Sequence, residues 1–260
     1  MTLSFDEAAA KRVETSYLTR DVSEQRRQVL ESLCLQPGES VLDIGSGPGL
    51  LAGEMATAVG PHGSVIGIDI IPSMLSLAAR RAAPVDAAPI AYQQAGVDAL
   101  PCPDSSIDVA VSTQVLEYLE DIPGALAEIA RALRPGGRAL VLDTDWDSIV
   151  WHSTDVARMQ RLLAVWDEHL VDPHLPRTLG VSLERAGFQV ERPWIIPLLN
   201  VGYAEATYSG GLIPTIAAFV TGRSGITGDD VQEWAADLRA LGPRYFFSLN
   251  RYVFLARKPT

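Results

Sequence analysis

The sequence contains few cysteines, which form the disulfides of small secreted domains, and few lysines, which bind polyanions. Only two cysteines, Cys34 and Cys102, occur in 260 residues, and they form neither a CxxC pattern nor a set of metal ligands. Lysine is limited to Lys11 and Lys258, and 32 acidic against 21 basic residues leave a net charge of -11. Because non-specific nucleic-acid binding depends on cationic contacts to phosphate, this balance argues against a nucleic-acid partner.

Long apolar runs are also missing. No window approaches the roughly 18 uninterrupted apolar residues of a membrane span, and the longest run, 211–220, contains Pro214. Residues 1–30 are largely polar and lack the apolar core of a signal peptide. Together with the low cysteine content, these features predict a cytoplasmic protein without a membrane span.

With 47% apolar residues, the chain can form one large domain, in which apolar and helical segments alternate. Runs that are almost entirely apolar suit strands covered on both faces, as in a parallel sheet. The rhythm favours an open, doubly wound α/β sheet over a (β/α)8 barrel, which needs about eight such units. Five strands are predicted in the first part of the chain, at Ser40–Ile44, Ser64–Ile68, Ile90–Gln93, Ile107–Val111 and Arg138–Asp143, with helices at Leu50–Val59, Pro72–Ala82 and Pro123–Leu133.

After Asp143 the rhythm changes, and a helical insert is predicted between the last two strands. Such an insert lies outside the sheet, and we expect it to cap a pocket. We therefore predict one domain over residues 1–260, with a helical lid at 201–242. The remaining predicted parts are N-terminal helices in 1–35, a core of 36–200 and 243–260, helices at Asp155–Leu170 and Arg177–Ala186, and strands at Phe188–Ile196 and Tyr245–Arg257.

The most informative stretch reads VLDIGSGPGL, from Val41 to Leu50. An apolar strand enters a glycine-rich turn and a helix follows at once, which lets a ligand approach the backbone beside free helix N–H groups. Asp69 ends the second strand 24 residues after Gly45, where a carboxylate can bind a ribose diol. These features predict a nucleoside-containing ligand.

The glycine spacing narrows the choice of ligand. The dinucleotide pattern GxGxxG/A requires a small residue at a position occupied here by Leu50. The observed GxGxG turn fits a compact ligand without a pyrophosphate. An NAD(P)-dependent oxidoreductase remains the alternative from another reaction class.

These segments resemble motifs of the class I S-adenosylmethionine-dependent methyltransferases, especially the small-molecule group of ubiquinone/menaquinone C-methyltransferases. The similarity is strong over about residues 36–145, and the final strand is similar to the family's closing strand. The matching motifs are VLDIGSGPG, GIDI at Gly67–Ile70, GVDALP at Gly96–Pro101, IDVA with QVLE at Gln114–Glu117, and LRPGG at Leu133–Gly137.

The resemblance implies a Rossmann-like, seven-stranded and mostly parallel sheet with an antiparallel last strand. It implies S-adenosylmethionine as cofactor, S-adenosylhomocysteine as product, and no metal. Methyl transfer would be an in-line displacement onto a small-molecule metabolite, and a non-catalytic S-adenosylmethionine-binding protein is a further alternative. The residues that would bind the cofactor are Tyr17, Asp43, Gly45, Gly47, Gly49, Asp69, Ile70, Val97, Asp98 and Gln114.

Acceptor-binding residues are expected after the fifth strand, because loops at the carboxyl ends of strands line the site. His152 has the intrinsic pKa of a general base, although such a base is needed only if the acceptor loses a proton. The sequence leaves the acceptor atom open, and either a monomer or a homodimer is expected. The candidate acceptor-binding residues are Asp145, Trp146, Trp151, Tyr203 and Tyr208.

Overall fold

A mixed β-sheet forms the centre of this computed structural model, which describes residues 11, 14–82, 85–191 and 193–260. The strands are β1 (Ser40–Ile44), β2 (Ser64–Asp69), β3 (Ile90–Gln94), β4 (Ile107–Thr113), β5 (Leu133–Thr144), β6 (Val150–Trp151), β7 (Gln189–Val190), β8 (Trp194–Val201) and β9 (Phe246–Arg257). The first five strands are parallel and lie in the order β3-β2-β1-β4-β5. β9 pairs antiparallel with β5, so the predicted antiparallel last strand is confirmed.

Among the described residues the sheet holds nine strands, rather than the predicted seven. Tyr252 of β9 pairs with both β5 and β8, and Ser248 pairs with both β6 and β8. Because a residue pairs with one strand on each side, β5 and β6 share one edge of β9, and β8 lies on the other. Arg257 pairs with β5 and β7, which puts β7 beside β8. The nine strands therefore occupy seven positions across the sheet.

Helices cover both faces of the sheet, as expected for a doubly wound fold. On one face, Val29 and Met55 share a core with Leu140 of β5, and on the other, Leu126 and Leu179 share a core with Val141. Alternate residues of one buried strand thus enter opposite cores. The helices are α1 (Arg20–Leu33), α2 (Leu50–Val59), α3 (Pro72–Ala79), α4 (Ile122–Ala132), α5 (Val156–Trp166), α6 (Pro176–Arg185), α7 (Tyr208–Val220) and α8 (Gly228–Ala240).

The insert between β8 and β9 consists of α7 and α8, which share a hydrophobic core with α5. α7 begins at Tyr208, because Thr207 caps it by accepting a hydrogen bond from the Gly210 N–H. Thr227 and Asp230 form a reciprocal capping box at the start of α8. The insert therefore has defined helix starts and is packed against the rest of the fold.

Two other predicted elements have different bounds. The strand predicted at Phe188–Ile196 is divided into β7 and β8, and Pro193 between them has no N–H to donate to a ladder. The helix predicted at Asp155–Leu170 ends at Trp166 and continues as a short 3-10 turn. Neither difference changes the parallel strands. The carboxyl ends of β1, β2, β4 and β5 lie at one edge of the sheet.

Candidate cofactor and acceptor site

A glycine-rich turn between β1 and α2 forms one wall of a cleft at that edge. Gly45, Gly47 and Gly49 have φ angles of 68°, 51° and 77°, which side chains rarely adopt. A Cβ at Gly49 would collide with the Tyr92 hydroxyl. The turn therefore requires glycine for both its conformation and its close packing.

Asp69 ends β2 and faces the glycine turn. Its Oδ2 accepts a hydrogen bond from the Gly47 N–H at 2.9 Å, and its Oδ1 accepts one from the Ile71 N–H at 2.8 Å. Burial raises the pKa of Asp69, while these N–H groups and that of Ile70 lower it. Because carboxylate oxygens have about four acceptor sites, Asp69 can accept further hydrogen bonds from a ligand.

Asp43 lies beneath the turn and lines the cleft. It is 1% exposed, and its Oδ2 has no hydrogen-bond partner. Burial raises its pKa to about 8, the charge of Asp69 adds to this, and a hydrogen bond from the Ala52 backbone opposes it. Asp43 is thus a buried carboxyl group that favours its protonated form.

The side chains expected to hold an adenine ring lie together around Gly96. A Cβ on Gly96 would lie 3.9 Å from Ile70 Cγ2 and would collide with Asp98 Oδ1. Ile70 is 63% exposed although it is apolar, Asp98 is exposed, and Val97 is buried. An exposed apolar surface beside a carboxylate fits a flat ring that carries an amino group.

Tyr17, which precedes α1, and Gln114, which follows β4, both line the cleft. Tyr17 Cε2 lies 3.6 Å from the position of a Cβ on Gly47, and Gln114 has a φ of 57°. The Gln114 amide nitrogen lies 3.5 Å from Thr144 Oγ1. The cleft is lined by Tyr17, Val22, Gln25, Arg26, Val29, Asp43, Gly45, Ser46, Pro48, Leu50, Leu51, Thr113 and Gln114.

A buried polar cluster, consisting of Glu117, Asp143, Thr144 and Arg251, lies next to Gln114. The Thr144 N–H donates to Glu117 Oε2 at 3.2 Å, and Thr144 Oγ1 accepts a hydrogen bond from Arg251 Nη1. Glu117 and Asp143 are 0% exposed, and Arg251 is 1% exposed. One carboxylate from the segment after β4, another from β5 and a guanidinium from β9 thus meet in the interior.

Burial dominates the electrostatics of this cluster. It raises the pKa of Glu117 to about 7, although the charge of Arg251 and the Thr144 N–H lower it. Burial also raises the pKa of Asp143 well above its usual range, and the charge of Glu117 adds to this. Burial and the repulsion between the two carboxylates therefore favour protonation of the pair, and the charge of Arg251 opposes it.

Asp145, predicted to face the acceptor, is engaged by other side chains. Its Oδ2 accepts from Arg177 Nε at 2.7 Å, and its Oδ1 lies 3.1 Å from His174 Nδ1. Burial raises the pKa of Asp145, but hydrogen bonds from Arg177 and His174 outweigh this and hold it below its usual range. The ligand atoms of Asp145, Asp147 and His174 lie close enough together to hold a metal ion. Arg177, however, already donates hydrogen bonds to both carboxylates.

The other predicted acceptor residues have different surroundings. Trp146 is buried beside the polar cluster, where it lowers the pKa of Glu117, and Tyr208 lies with its ring centroid 5.0 Å from Arg251 Cζ. Trp151 instead packs edge-to-face on Trp234 and Phe247. It belongs to the core beneath the insert.

Tyr203 and His152 are not placed with the polar cluster. Tyr203 packs against Tyr245, with ring centroids 5.5 Å apart. His152 is exposed, and its backbone N–H donates to the Phe246 carbonyl. The structure thus brings two of the predicted acceptor residues, Trp146 and Tyr208, to the cluster, and catalysis by His152 stays a prediction.

The sequence patterns do not single out Glu117 or Arg251, whereas Asp143 begins the acidic segment Asp143–Asp147, which they place beside the acceptor pocket. Glu117 lies in a matched motif and Asp143 near the end of β5, but their burial depends on contacts with other elements. Arg251 carries a weak signal, since it interrupts an otherwise largely apolar strand. A lone charge in a strand that reads as buried indicates a partner inside the fold.

Comparison with known proteins identifies the family. A family model described as a methyltransferase domain matches residues 42–141. A 2-phytyl-1,4-naphtoquinone methyltransferase of Trichormus variabilis is 30% identical over 181 residues, which cover 66% of this chain and 76% of the relative. The chain belongs to the class I S-adenosylmethionine-dependent methyltransferases.

Other relatives match this methyltransferase over different shares of its length. An uncharacterized 37.1 kDa protein in transposon TN4556 of Streptomyces fradiae is 33% identical over 268 residues, covering 94% of this chain and 71% of that protein. The chain covers 51% of a 2-phytyl-1,4-naphtoquinone methyltransferase of Synechococcus elongatus, at 39% identity over 45% of this chain. The similarity to such relatives is therefore concentrated in part of the molecule.

Solved structures share the fold of this methyltransferase. A putative methyltransferase from Bacillus halodurans superimposes with a TM-score of 0.63 at 16% identity, covering 91% of this chain and all of that one (100%). Haemonchus contortus phosphoethanolamine N-methyltransferase 2, solved with S-adenosylhomocysteine, gives a TM-score of 0.61 at 18% identity, covering 98% of this chain and 58% of that one.

In the described part of the chain, no helix has both the length and the apolar character needed to cross a membrane.

Proposed function

We propose that this methyltransferase binds S-adenosylmethionine in the cleft beside the glycine turn and transfers its methyl group to a small-molecule acceptor. The observation that carries the proposal is the placement of Asp69. Its buried carboxylate lies at the end of β2 and accepts the Gly47 N–H at 2.9 Å. A single side chain thus couples the turn to a position where ribose hydroxyls can be bound.

Each part of this cofactor has a proposed partner among the residues at or near the glycine turn. Asp69 accepts from the ribose hydroxyls, and the turn of Gly45, Gly47 and Gly49 accommodates the methionine and ribose parts. Ile70 packs on the adenine ring, and Asp98 accepts from its amino group near the Val97 backbone. Asp43 supports the turn, while Tyr17 and Gln114 lie at the end that faces the polar cluster.

Bound S-adenosylmethionine supplies an electrophilic methyl group for in-line displacement. The protein aligns the acceptor and excludes water, and such positioning alone can lower the barrier by many kcal/mol. Tyr17 covers the glycine turn, and the α7–α8 insert, proposed here as a fixed lid over residues 201–242, packs around Tyr208. No metal-dependent step is required by this chemistry.

Calorimetric titration of the purified chain with S-adenosylhomocysteine and with NAD tests the cofactor assignment. We expect S-adenosylhomocysteine to bind and NAD to show no measurable heat, because Leu50 occupies the position that a pyrophosphate-binding turn keeps small. Binding of NAD alone would favour the oxidoreductase and overturn the proposal. A screen with radiolabelled S-adenosylmethionine then separates an enzyme from a non-catalytic binding protein.

Asp69→Ala should weaken S-adenosylhomocysteine binding by about 1–3 kcal/mol, since ribose hydroxyls lose their acceptor. The matched control is Asp229→Ala, which removes an exposed carboxylate on α8. The control should bind as the wild type does. Equal affinity of Asp69→Ala and wild type would show that the ribose lies elsewhere.

A further inference from the structure

A polar side chain interrupts the apolar face of α1. The other buried residues of α1 are Val22, Val29 and Leu33, at the spacing of one helix face. Gln25 lies in this row, is 5% exposed and lines the cofactor cleft. Its Oε1 is buried without a hydrogen-bond partner. Since an apolar residue would complete the row, Gln25 indicates a ligand that its amide binds.

Ser46, in the glycine turn, lines the same cleft. It is 7% exposed, and its Oγ is buried without a hydrogen-bond partner. An amide on α1 and a hydroxyl on the turn, each with an unpaired oxygen, thus line one space. Buried polar atoms normally have partners, so two such atoms on different elements indicate a missing ligand group.

The N-terminus of α2 adds hydrogen-bond donors to this space. Gly49, which precedes α2, has no side chain to cap the helix, and the Gly53 N–H makes the first bond within it, to the Gly49 carbonyl at 3.1 Å. The N–H groups of Leu50 and Leu51 therefore have no acceptor within the helix, and both residues line the cleft. Such a helix start favours a negatively charged ligand group.

The charges around the cleft are compatible with an anion. Arg26 is the one cation among the lining residues in the described part of the chain, and it donates to the Tyr17 carbonyl at 2.5 Å and to Glu54 Oε1 at 3.2 Å. Asp43 is the one acid among these lining residues. Burial raises the pKa of Asp43 to about 8, so this acid favours its neutral form and repels an anion little.

The space suits the end of the cofactor that is remote from adenine. The side chains assigned to the ribose and the adenine, Asp69, Ile70 and Asp98, are not among the lining residues. The free space in the cleft is about 50 Å³. Since one water needs about 10–15 Å³, this space admits about four water-sized groups without any side chain moving. The head group of an amino acid, with two oxygens and one nitrogen, is of this size.

The donor and acceptor pattern selects an α-amino acid. The helix N–H groups only donate, whereas the Gln25 amide and the Ser46 hydroxyl can both donate and accept. A carboxylate accepts from the helix N–H groups, from Ser46 and from Gln25 Nε2, but it offers no donor to Gln25 Oε1. An ammonium group beside the carboxylate supplies that donor. A fully ionised phosphate has none, and an amine alone leaves the start of α2 without an anion.

We propose that this space binds the amino acid end of the cofactor, with the carboxylate at the start of α2, and that Gln25 and Ser46 make binding specific for that end. The assignment rests on the proposed methyltransferase function, because S-adenosylmethionine and S-adenosylhomocysteine both carry an amino acid on the sulfur side. A cofactor that has lost its carboxylate should therefore bind poorly. Gln25 and Ser46 are specificity-determining residues that take no part in the methyl transfer itself.

The test uses three nucleosides that share the adenosine and the sulfur: S-adenosylhomocysteine, its decarboxylated form, and 5′-methylthioadenosine, which lacks both the carboxylate and the amine. Each is titrated into the wild-type chain in a calorimeter. We expect S-adenosylhomocysteine to bind at least about tenfold more tightly than either of the others, because hydrogen bonds to a charged group are lost with the carboxylate.

Two variants assign this preference to side chains. Gln25→Met and Ser46→Ala should each reduce the preference for S-adenosylhomocysteine over its decarboxylated form at least about threefold, while the affinity for 5′-methylthioadenosine stays within about twofold of wild type. The matched control is Gln28→Met on the same helix, where Gln28 donates to Glu24 at the surface, and it should keep the full preference. In urea, Gln25→Met should unfold no more easily than wild type, because it removes a buried oxygen that has no partner.

Equal affinities of the wild type for S-adenosylhomocysteine and its decarboxylated form would overturn the assignment. A preference that survives either substitution removes that residue from the site, and a clear loss of stability in Gln25→Met would show that Gln25 serves the fold instead. The wild-type comparison decides the place of the carboxylate even if a variant does not fold. If none of the three nucleosides binds, the proposed function is wrong. If all three bind equally, only the amino acid site is wrong.

Discussion

Replacing Asp43 by asparagine should stabilise the ligand-free protein, and the gain should increase with pH. Asp43 is 1% exposed, and burial raises its pKa from 3.8 to about 8. Between these two pH values the folded chain keeps a proton on Asp43 that the unfolded chain has released. The stability of the wild type therefore falls as pH rises through this window, whereas an asparagine does not titrate.

The magnitude follows from the width of the window. Each pH unit between the unfolded and folded pKa changes the free energy of unfolding by about 1.4 kcal/mol. Between pH 5 and pH 7, the stability of Asp43→Asn relative to wild type should rise by about 3 kcal/mol. The other buried acids titrate in both proteins, so the difference reports Asp43 together with its interaction with the charge of Asp69.

Urea unfolding of both proteins at pH 5, 6 and 7 measures this difference. Asp229→Asn, which changes an exposed aspartate, serves as the control and should track the wild type at every pH. A gain for Asp43→Asn that is the same at all three pH values would refute the reasoning. In that case burial beneath the glycine turn would not favour the protonated carboxyl group.

Two further substitutions test packing at the turn and in the insert. Gly49→Ala should abolish binding of S-adenosylhomocysteine in calorimetry, because its Cβ would collide with the Tyr92 hydroxyl. The control is Gly222→Ala, since Gly222 has a similar φ of 80° but open space around its Cβ position. This control should lose only about 1–2 kcal/mol of stability and bind as the wild type does. Equal effects of Gly49→Ala and Gly222→Ala on binding would contradict the steric argument. Trp234→Ala should lower the free energy of unfolding by about 3–5 kcal/mol in urea, since Trp234 is 1% exposed; a loss below about 1 kcal/mol would show that the insert is not part of the core.

The glycine turn and the position of Asp69 beside it were predictable from the sequence because their geometry is local. Gly45, Gly47 and Gly49 follow a strand that reads as buried, and their positive φ angles match the reason for choosing glycine. Asp69 lies at the end of the next strand, and parallel pairing of β1 with β2 brings it to the turn. Both inferences need only neighbouring elements of one βαβ unit.

The surroundings of the predicted acceptor residues were less predictable because distant segments assemble them. Trp151 follows β5 in the chain, yet β6 pairs with Phe247 and turns Trp151 into the core beneath α8. Asp145 reads as a free acidic residue, but Arg177, which engages it, lies 32 residues away. Arg251 reaches Thr144 across 107 residues of sequence. No local pattern encodes such contacts.

A crystal structure of the chain with S-adenosylhomocysteine tests the central claim most directly. We expect both ribose hydroxyls within hydrogen-bond distance of Asp69, the adenine between Ile70 and Asp98, and the sulfur atom directed towards Gln114. A nucleoside bound away from the glycine turn, or with its ribose beyond reach of Asp69, would contradict the account.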